Sequence, residues 1–253
     1  SLNDIIDEYK IDLIFPTHDT VSLDLVKNQS IINSKVVAGD LRTVNICRSK
    51  KATYELFADC DFVPKQYSLN TDTLEFPLFI KPDVGQGSVG AKKILTYADL
   101  DNIKLEEYVI TEFLSGDEYT VDCITDKYGK LAYYSPRSRN RMMAGVCVSG
   151  KTEDASNEIR SIAETINSRL NFLGLWYFQI KKDDKGKYKL LEISSRCAGT
   201  MCLTRAKGVN LPLLSAYVAM GYDISVIPNN YNVEMDRTLI SRYEIDYDYE
   251  TVY

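Results

Sequence analysis

Apolar residues at Ile159, Ile162, Ala163, Ile166 and Leu170 recur with the spacing of one helix face, which predicts a helix over Thr152 to Phe172 stopped by Gly174. A hairpin follows. The runs Leu175 to Lys182 and Lys187 to Ser194 are apolar and β-prone, and they flank Asp183-Asp184-Lys185-Gly186, which has the composition of a turn. Pairing Lys182 with Lys187 puts Trp176, Phe178, Ile180, Leu191 and Ile193 on one face and Gln179, Glu192 and Ser194 on the other. A one-residue slip would split the apolar set, so the pattern itself specifies the register.

Residues 1 to about 48 read as a helix, a strand over Asp12 to Phe15, a helix starting near Thr17 to Thr20, and short elements around Val36-Val37. Strands alternating with helices predict a partial parallel α/β layer. It opens on a helix rather than a strand, so a preceding segment is expected to be missing. Lys50 to Asp59 reads as a short helix before Asp61-Phe62-Val63-Pro64, a linker. From Phe76 to Tyr134 the chain changes to short strands, PLFIKP, VGAKKIL, EEYVITEFL, EYTVDCIT and KLAYY, punctuated by glycine and acidic residues as in an antiparallel sheet. A last helix over Leu211 to Met220 precedes an acidic tail rich in tyrosine.

Composition narrows the function classes. A chain of 253 residues, 45% hydrophobic, can build real cores. A net charge of −6 argues against nucleic acid as a partner. No run approaches the ~20 apolar residues of a membrane span, and SLNDIIDEYK lacks the pattern of a signal peptide, so a cytoplasmic protein is expected. The six cysteines form no C-x-x-C pair and read as buried free thiols.

Chemistry concentrates in a few places. In the register above, Gln179 and Glu192 are diagonal neighbours about 7–8 Å apart at the backbone, close enough to hold one ion at roughly 2.1 Å. With no cysteine or histidine beside them, Mg²⁺ is favoured over zinc. Asp83-Val84-Gly85-Gln86-Gly87-Ser88-Val89-Gly90 lies between two strands, and its glycines let backbone N–H groups approach an anion. It fits neither a Rossmann fingerprint nor a Walker loop, and a glycine-rich hairpin without function fits equally well on the residues alone. Lys81 shares its strand face with Phe79, opposite Leu78 and Ile80; it could reach a phosphate or snorkel from a half-buried strand. Thr111 to Leu114 ends a strand that could read a purine through its edge, with Glu118 placed to accept ribose hydroxyls; the alternative is a plain acidic turn. Ser135 to Arg141 puts Arg137, Arg139 and Arg141 at alternate positions between a strand and a helix, either an oxyanion clamp or a solvated basic loop. His18 reads as a loop or helix-start residue.

Taken in order, FIKPDVGQGSVG, ITEFLSGDEYTVD, WYFQIKK and LLEISSRCAGT resemble the ATP-grasp superfamily, most closely its carbamoyl-phosphate-synthase-like, carboxylate–amine ligase branch. The resemblance covers nearly the whole chain. It implies an α/β fold with an α+β lid: a partial N-terminal domain over 1–48, a linker helix over 49–65, a lid over 66–114 and a central catalytic unit over 115–253. It implies ATP and Mg²⁺ as cofactors, with Lys50 and Lys81 on phosphates and Gly85, Gln86, Gly87, Ser88 and Val89 in a mobile loop. Glu112, Phe113 and Leu114 would form the adenine hinge, and Glu118 would accept the ribose. Gln179, Glu192 and Ser194 would be the metal positions. Ser194 stands where the family has an asparagine, which puts a second ion in question. Arg196 would be catalytic with Lys81 and Arg139, and Arg137, Arg139, Arg141 and Arg205 would face substrate; Arg205 and Asn210 resemble a loop packed against the active site. The activity implied is ATP-dependent joining of a carboxylate to an amine through an acyl phosphate. The alternatives are a related enzyme phosphorylating bicarbonate or carbamate, and a nucleotide-binding module without turnover. Expected partners are small-molecule carboxylates and amines, with a homodimer as an option, and neither nucleic acid nor membrane.

Overall fold

The computed structural model describes residues 1–68, 73–85, 87–101, 103–143 and 145–236. The acidic tyrosine-rich tail beyond 236 lies outside the described residues. The chain opens with α1 (Leu2–Tyr9), β1 (Leu13–Ile14), α2 (Asp19–Lys27) and β2 (Lys35–Val36), and β1 and β2 pair in parallel as the alternation predicts. Then come α3 (Leu41–Arg48) and α4 (Lys50–Leu56). Asp40 and Ser49 cap these two helices by accepting hydrogen bonds from Thr43 and Ala52 N–H groups.

A three-stranded antiparallel sheet follows, ordered β4-β3-β5, from β3 (Leu78–Pro82), β4 (Lys92–Ile94) and β5 (Tyr108–Glu112). Leu78 and Ile80 point into its small core with Ile94, Leu100 and Ile110, which turns Phe79 and Lys81 to the other face.

The larger sheet is antiparallel and ordered β11-β10-β6-β7, from β6 (Glu118–Thr125), β7 (Leu131–Ser138), β10 (Gly174–Lys182) and β11 (Tyr188–Ser194). Helix α5 (Asn157–Arg169) lays Ile159, Ile162, Ala163 and Ile166 on it, with Leu170 just past its end, against Trp176, Phe178 and Ile180. Phe172 stacks on Trp176 at 4.2 Å between centroids, and the indole N–H donates to the Thr125 hydroxyl at 2.9 Å, so the largest core side chain leaves no buried donor unmet. Truncating Ile166 to alanine in this core should cost ~2–5 kcal/mol.

Three expectations change. The helix ends at Arg169, and Gly174 (φ 76°) instead begins β10, where a Cβ would lie 2.6 Å from Ser215 of α7 (Leu211–Ala219). The hairpin pairs Lys182 with Tyr188 rather than Lys187, and a bulge near Leu191 shifts the register again. Leu190, not Leu191, therefore enters the core, and Gln179 sits directly opposite Glu192 rather than diagonal to it. The arginine segment is not a loop leading to a helix: β7 runs through Ser138, and β8 (Arg141–Met143), β9 (Val146–Lys151) and β12 (Glu234–Asp236) form a further sheet ordered β12-β9-β8. A short helix, α6 (Cys202–Ala206), also goes unpredicted.

All six cysteines are free thiols, Cys123 and Cys147 buried and Cys202 exposed. Among the described residues no helix is long and apolar enough to cross a membrane.

Candidate active site

Two adjoining cavities open between the small sheet, the N-terminal layer and the polar face of the β10–β11 hairpin. The smaller, about 130 Å³, is lined by Phe79, Lys81, Ser88, Val89, Glu118 and Leu191. The larger, about 320 Å³, is lined by His18, Asp19, Arg48, Arg137, Tyr177, Ser194, Arg196 and Thr200. Lys50, Gly85, Gly87, Arg139, Gly145, Gln179 and Glu192 line both.

On the smaller side, strand alternation delivers Lys81. Its ammonium donates to the Leu191 carbonyl at 2.9 Å and lies 5.3 Å from the Tyr54 ring centre; the Tyr54 hydroxyl donates to the same carbonyl at 3.1 Å. The bulge that displaced Leu191 from the core thus supplies an acceptor for a buried lysine. Burial, reinforced by the charge of Lys50 and opposed by Glu192 and Glu118, brings the Lys81 pKa down to about 7. Lys50, first residue of α4, donates to the Asp83 carbonyl at 3.1 Å, and burial lowers its pKa against the charge of Glu192. The Asp83 carboxylate accepts from the Lys51 N–H and the Ser49 hydroxyl, so the glycine loop is anchored to the start of α4. Gly87 (φ 62°) lies so close to the β8–β9 turn that a Cβ on Gly145 would stand 2.2 Å from its carbonyl carbon. Gln86 lies outside the described residues.

Glu118 pairs with Arg139 at 2.7 Å and Lys181 at 3.9 Å. Glu112 accepts from the Lys65 N–H at 2.8 Å, Phe113 packs on Phe79 at 6.5 Å between centroids, and Leu114 is buried. None of these three lines either cavity, although Phe79 does.

On the larger side, Arg137, Arg139 and Arg196 are held by acids, and Arg48 donates to the Gly85 carbonyl and the Thr20 hydroxyl. Arg137 is 1% exposed and bidentate to Asp122 at 2.9 and 3.1 Å; it also donates to the Thr200 hydroxyl, while the Thr204 hydroxyl donates to Asp122 at 2.7 Å. Arg196 donates to Asp19 at 2.7 Å and lies 5.3 Å from the Tyr177 ring centre. Arg141 departs from the common face because the chain leaves the β7 sheet at Ser138; it pairs with Asp236 beyond both cavities. Arg205 is exposed on α6 and also lines neither, while Asn210 caps α7. His18 is the N-cap of α2, its Nδ1 accepting from the Thr20 N–H.

Sequence reasoning missed Asp19, Arg48, Asp122 and Thr200. Asp19 is separated from Ser194, to which it is hydrogen bonded, by 175 positions. Its one local signal was a carboxylate beside His18 at a helix start, indistinguishable from an ordinary first-turn acid.

Residues 104–240, more than half of the chain, match a family model described as ATP-grasp in the biosynthetic pathway with Ter operon. The chain belongs to the ATP-grasp family. It is 29% identical over 138 residues to a D-alanine–D-alanine ligase of Buchnera aphidicola, covering 48% of this chain and 45% of that protein. The chain spans about half the length of the curated relatives it matches. The fold superposes on biotin carboxylase of Campylobacter jejuni, solved with an ATP analogue, at a TM-score of 0.76 and 15% identity, over 90% of this ATP-grasp chain and 59% of that one. L-amino acid ligase of Bacillus licheniformis gives 0.66 at 15%, over 86% and 58%.

The donor set of the ATP-grasp hairpin fits magnesium. Glu192 faces both cavities, its carboxylate makes no hydrogen bond or close ion pair among the described residues, and Gln179 stands directly opposite on β10. No cluster of three or more His, Cys, Asp or Glu is present among the described residues, so phosphates and water would complete the shell, as Mg²⁺ favours. Ser194 fits less well, because its hydroxyl is shorter than an asparagine amide and is held at Asp19.

Proposed function

We propose that this chain is the nucleotide-binding and catalytic part of an ATP- and Mg²⁺-dependent ligase that converts a carboxylate to an acyl phosphate and joins it to an amine. The observation that carries the reading is the smaller cavity: Lys50 and Lys81 face it with only carbonyl partners among the described residues, and Glu192 faces it unpaired. Lysines drawn out of water and hydrogen bonded to carbonyls rather than to acids, beside a glycine loop, suit the negative charge of phosphates. The D-alanine–D-alanine ligase likeness supports ligation.

In this reading Lys50, Lys81 and the backbone of Gly85 to Val89 hold the phosphates, Glu118 takes the ribose, and Glu112 to Leu114 border the adenine beside Phe79. Glu192 and Gln179 hold magnesium, which supplies charge neutralisation on the phosphates when bound. A substrate carboxylate oxygen attacks the γ-phosphorus as the bond to ADP breaks, and Arg196 and Arg139 orient the oxygens carrying the charge. The amine nitrogen then attacks the acyl carbon, loses a proton and expels phosphate. The glycine loop and β8–β9 turn, already in contact, exclude water. Arg141 and Arg205 drop out of the substrate set, and Arg137 acts as a fixed wall. The division at 48, 65 and 114, small-molecule substrates, the option of a homodimer and a cytoplasmic location complete the proposal.

The test is ADP release against panels of carboxylates and amines, with hydroxylamine present to trap the acyl phosphate. An acid-dependent hydroxamate is expected. Tight Mg·ATP binding with no hydroxamate from any acid would sink the ligase reading.

A further inference from the structure

Asp19 joins two parts of the molecule that no sequence motif connects. It is the first residue of α2, in the N-terminal layer, and its carboxylate reaches the exit of β11. One oxygen accepts from the Ser194 hydroxyl at 2.5 Å and the other from Arg196 Nη2 at 2.7 Å. The guanidinium has two further contacts: Nη1 donates to the Cys197 carbonyl at 3.0 Å and Cζ lies over the Tyr177 ring, 5.3 Å from its centre. The Arg196 Nε, buried, has no partner among the described residues. Arg48 and Lys50 line the same cavity, so Asp19 and Glu192 are the two lining carboxylates that face these three cations, and Asp19 is the one hydrogen bonded to the guanidinium. Burial opposes ionisation of Asp19, yet the hydrogen bond and charge of Arg196, with Ser194 and Arg48, hold its carboxyl below the usual range. The Ser194 hydroxyl has one proton and directs it to Asp19, which holds it toward α2, and it reaches one bond less far than the amide oxygen of an asparagine would; its lone pairs by themselves do not bar a cation.

We infer that Asp19 is a positioning residue for phosphoryl transfer, acting through Arg196, and that Ser194 is its hydrogen-bond donor rather than a metal ligand. The inference rests on the ATP-dependent reading above. Asp19 sets the direction of the guanidinium from a separate layer of the fold, so it matters most when charge develops on the transferring group and little when nucleotide merely binds.

The test compares two ligands by calorimetry in Mg²⁺: a non-hydrolysable ATP analogue, and ADP with aluminium fluoride, which mimics the transferring phosphoryl group. Asp19→Asn keeps shape and loses charge; it should weaken ADP–aluminium fluoride by about tenfold or more, as loss of an orienting partner does, and the ATP analogue by no more than about twofold. Ser194→Ala should show a smaller loss in the same direction, and should keep the Mn²⁺ affinity of the nucleotide-bound protein while Glu192→Ala loses it. Asp19→Asn in an Arg196→Ala background should add nothing. Equal weakening of both ligands, unchanged aluminium fluoride binding, or a Ser194→Ala that loses Mn²⁺ as Glu192→Ala does would overturn the assignment. Wild-type protein that binds neither ligand would instead overturn the underlying reading, and the assignment with it.

Discussion

The two cavities differ in how their cations are balanced. Lys81 on the smaller side and Lys50, which lines both, lean on carbonyl oxygens; Arg137 and Arg196 on the larger side and Arg139, which lines both, are each paired with an acid, Asp122, Asp19 and Glu118, while Arg48 donates to the Gly85 carbonyl and the Thr20 hydroxyl. A buried lysine without a counter-charge is costly until an anion arrives, whereas a paired arginine is already in place. The difference separates a binding function from a geometric one. In the proposed reading, phosphate would compensate the lysine charge, and the acids paired with the arginines would fix the direction of their guanidinium groups.

The largest effect should come from the one anion both cavities share without a partner. Glu192→Ala should abolish ADP release while leaving some nucleotide binding, measured by turnover and calorimetry; normal turnover would mean that the hairpin holds no catalytic metal. Next comes the asymmetry itself. Asp122→Ala strands a buried guanidinium and should cost about 3–5 kcal/mol, lowering the melting temperature by roughly 10 °C. Lys81→Met removes a buried charge that forms no ion pair and whose burial outweighs the pull of Glu192 and Glu118, so without nucleotide it should leave the melting temperature unchanged or raise it, while ATP affinity falls sharply. If both variants destabilised alike, the two sides would not differ as described.

A smaller effect tracks pH. Because the Lys81 pKa of about 7 lies below the ordinary 10.5 of a lysine, the folded chain binds fewer protons than the unfolded chain between those values. The cost of its buried charge is therefore full below about pH 7 and fades as pH rises toward 10.5, so this group contributes stability that increases with pH. Nucleotide favours the charged form, so its binding should take up a proton above pH 7 and weaken by up to about tenfold per pH unit there. Calorimetry at pH 8 in buffers of different ionisation enthalpy measures the uptake; none at all would place Lys81 away from the phosphates. The smallest effect belongs to the excluded arginines: Arg141→Ala and Arg205→Ala should each change stability by less than about 1 kcal/mol, and acid-dependent ADP release should stay within about twofold of wild type.

Much of the fold was legible because it is written in periods. The α5 face, the β10–β11 hairpin and the alternation that turns Lys81 away from Leu78 and Ile80 all follow from 3.6- or 2-residue spacing, which burial enforces. The bulge at Leu191 was not legible, since one extra residue leaves the apolar pattern nearly unchanged and is decided by what its carbonyl meets, here Lys81 and Tyr54. Strands β8 and β12 were hidden because Arg141, Met142 and Met143, and Glu234 to Asp236, are partly or largely exposed, and β9 because it buries the adjacent Cys147 and Val148, so none shows a buried alternation. At the candidate site, residues within one motif could be grouped in advance, such as Gln179 with Glu192. Partnerships across layers, such as Asp19 with Arg196 and Asp122 with Thr204, depend on how strands and helices stack and leave no local trace.

The central claim is that an acid is activated by phosphorylation at this site, and the fate of its oxygen tests that most directly. An acid positive in the hydroxamate screen, labelled with ¹⁸O in its carboxylate, would be turned over with ATP and amine and the released phosphate weighed by mass spectrometry. One ¹⁸O per phosphate is the expected result, because the attacking carboxylate oxygen leaves with the phosphoryl group. Phosphate carrying no ¹⁸O while amide accumulates would contradict it.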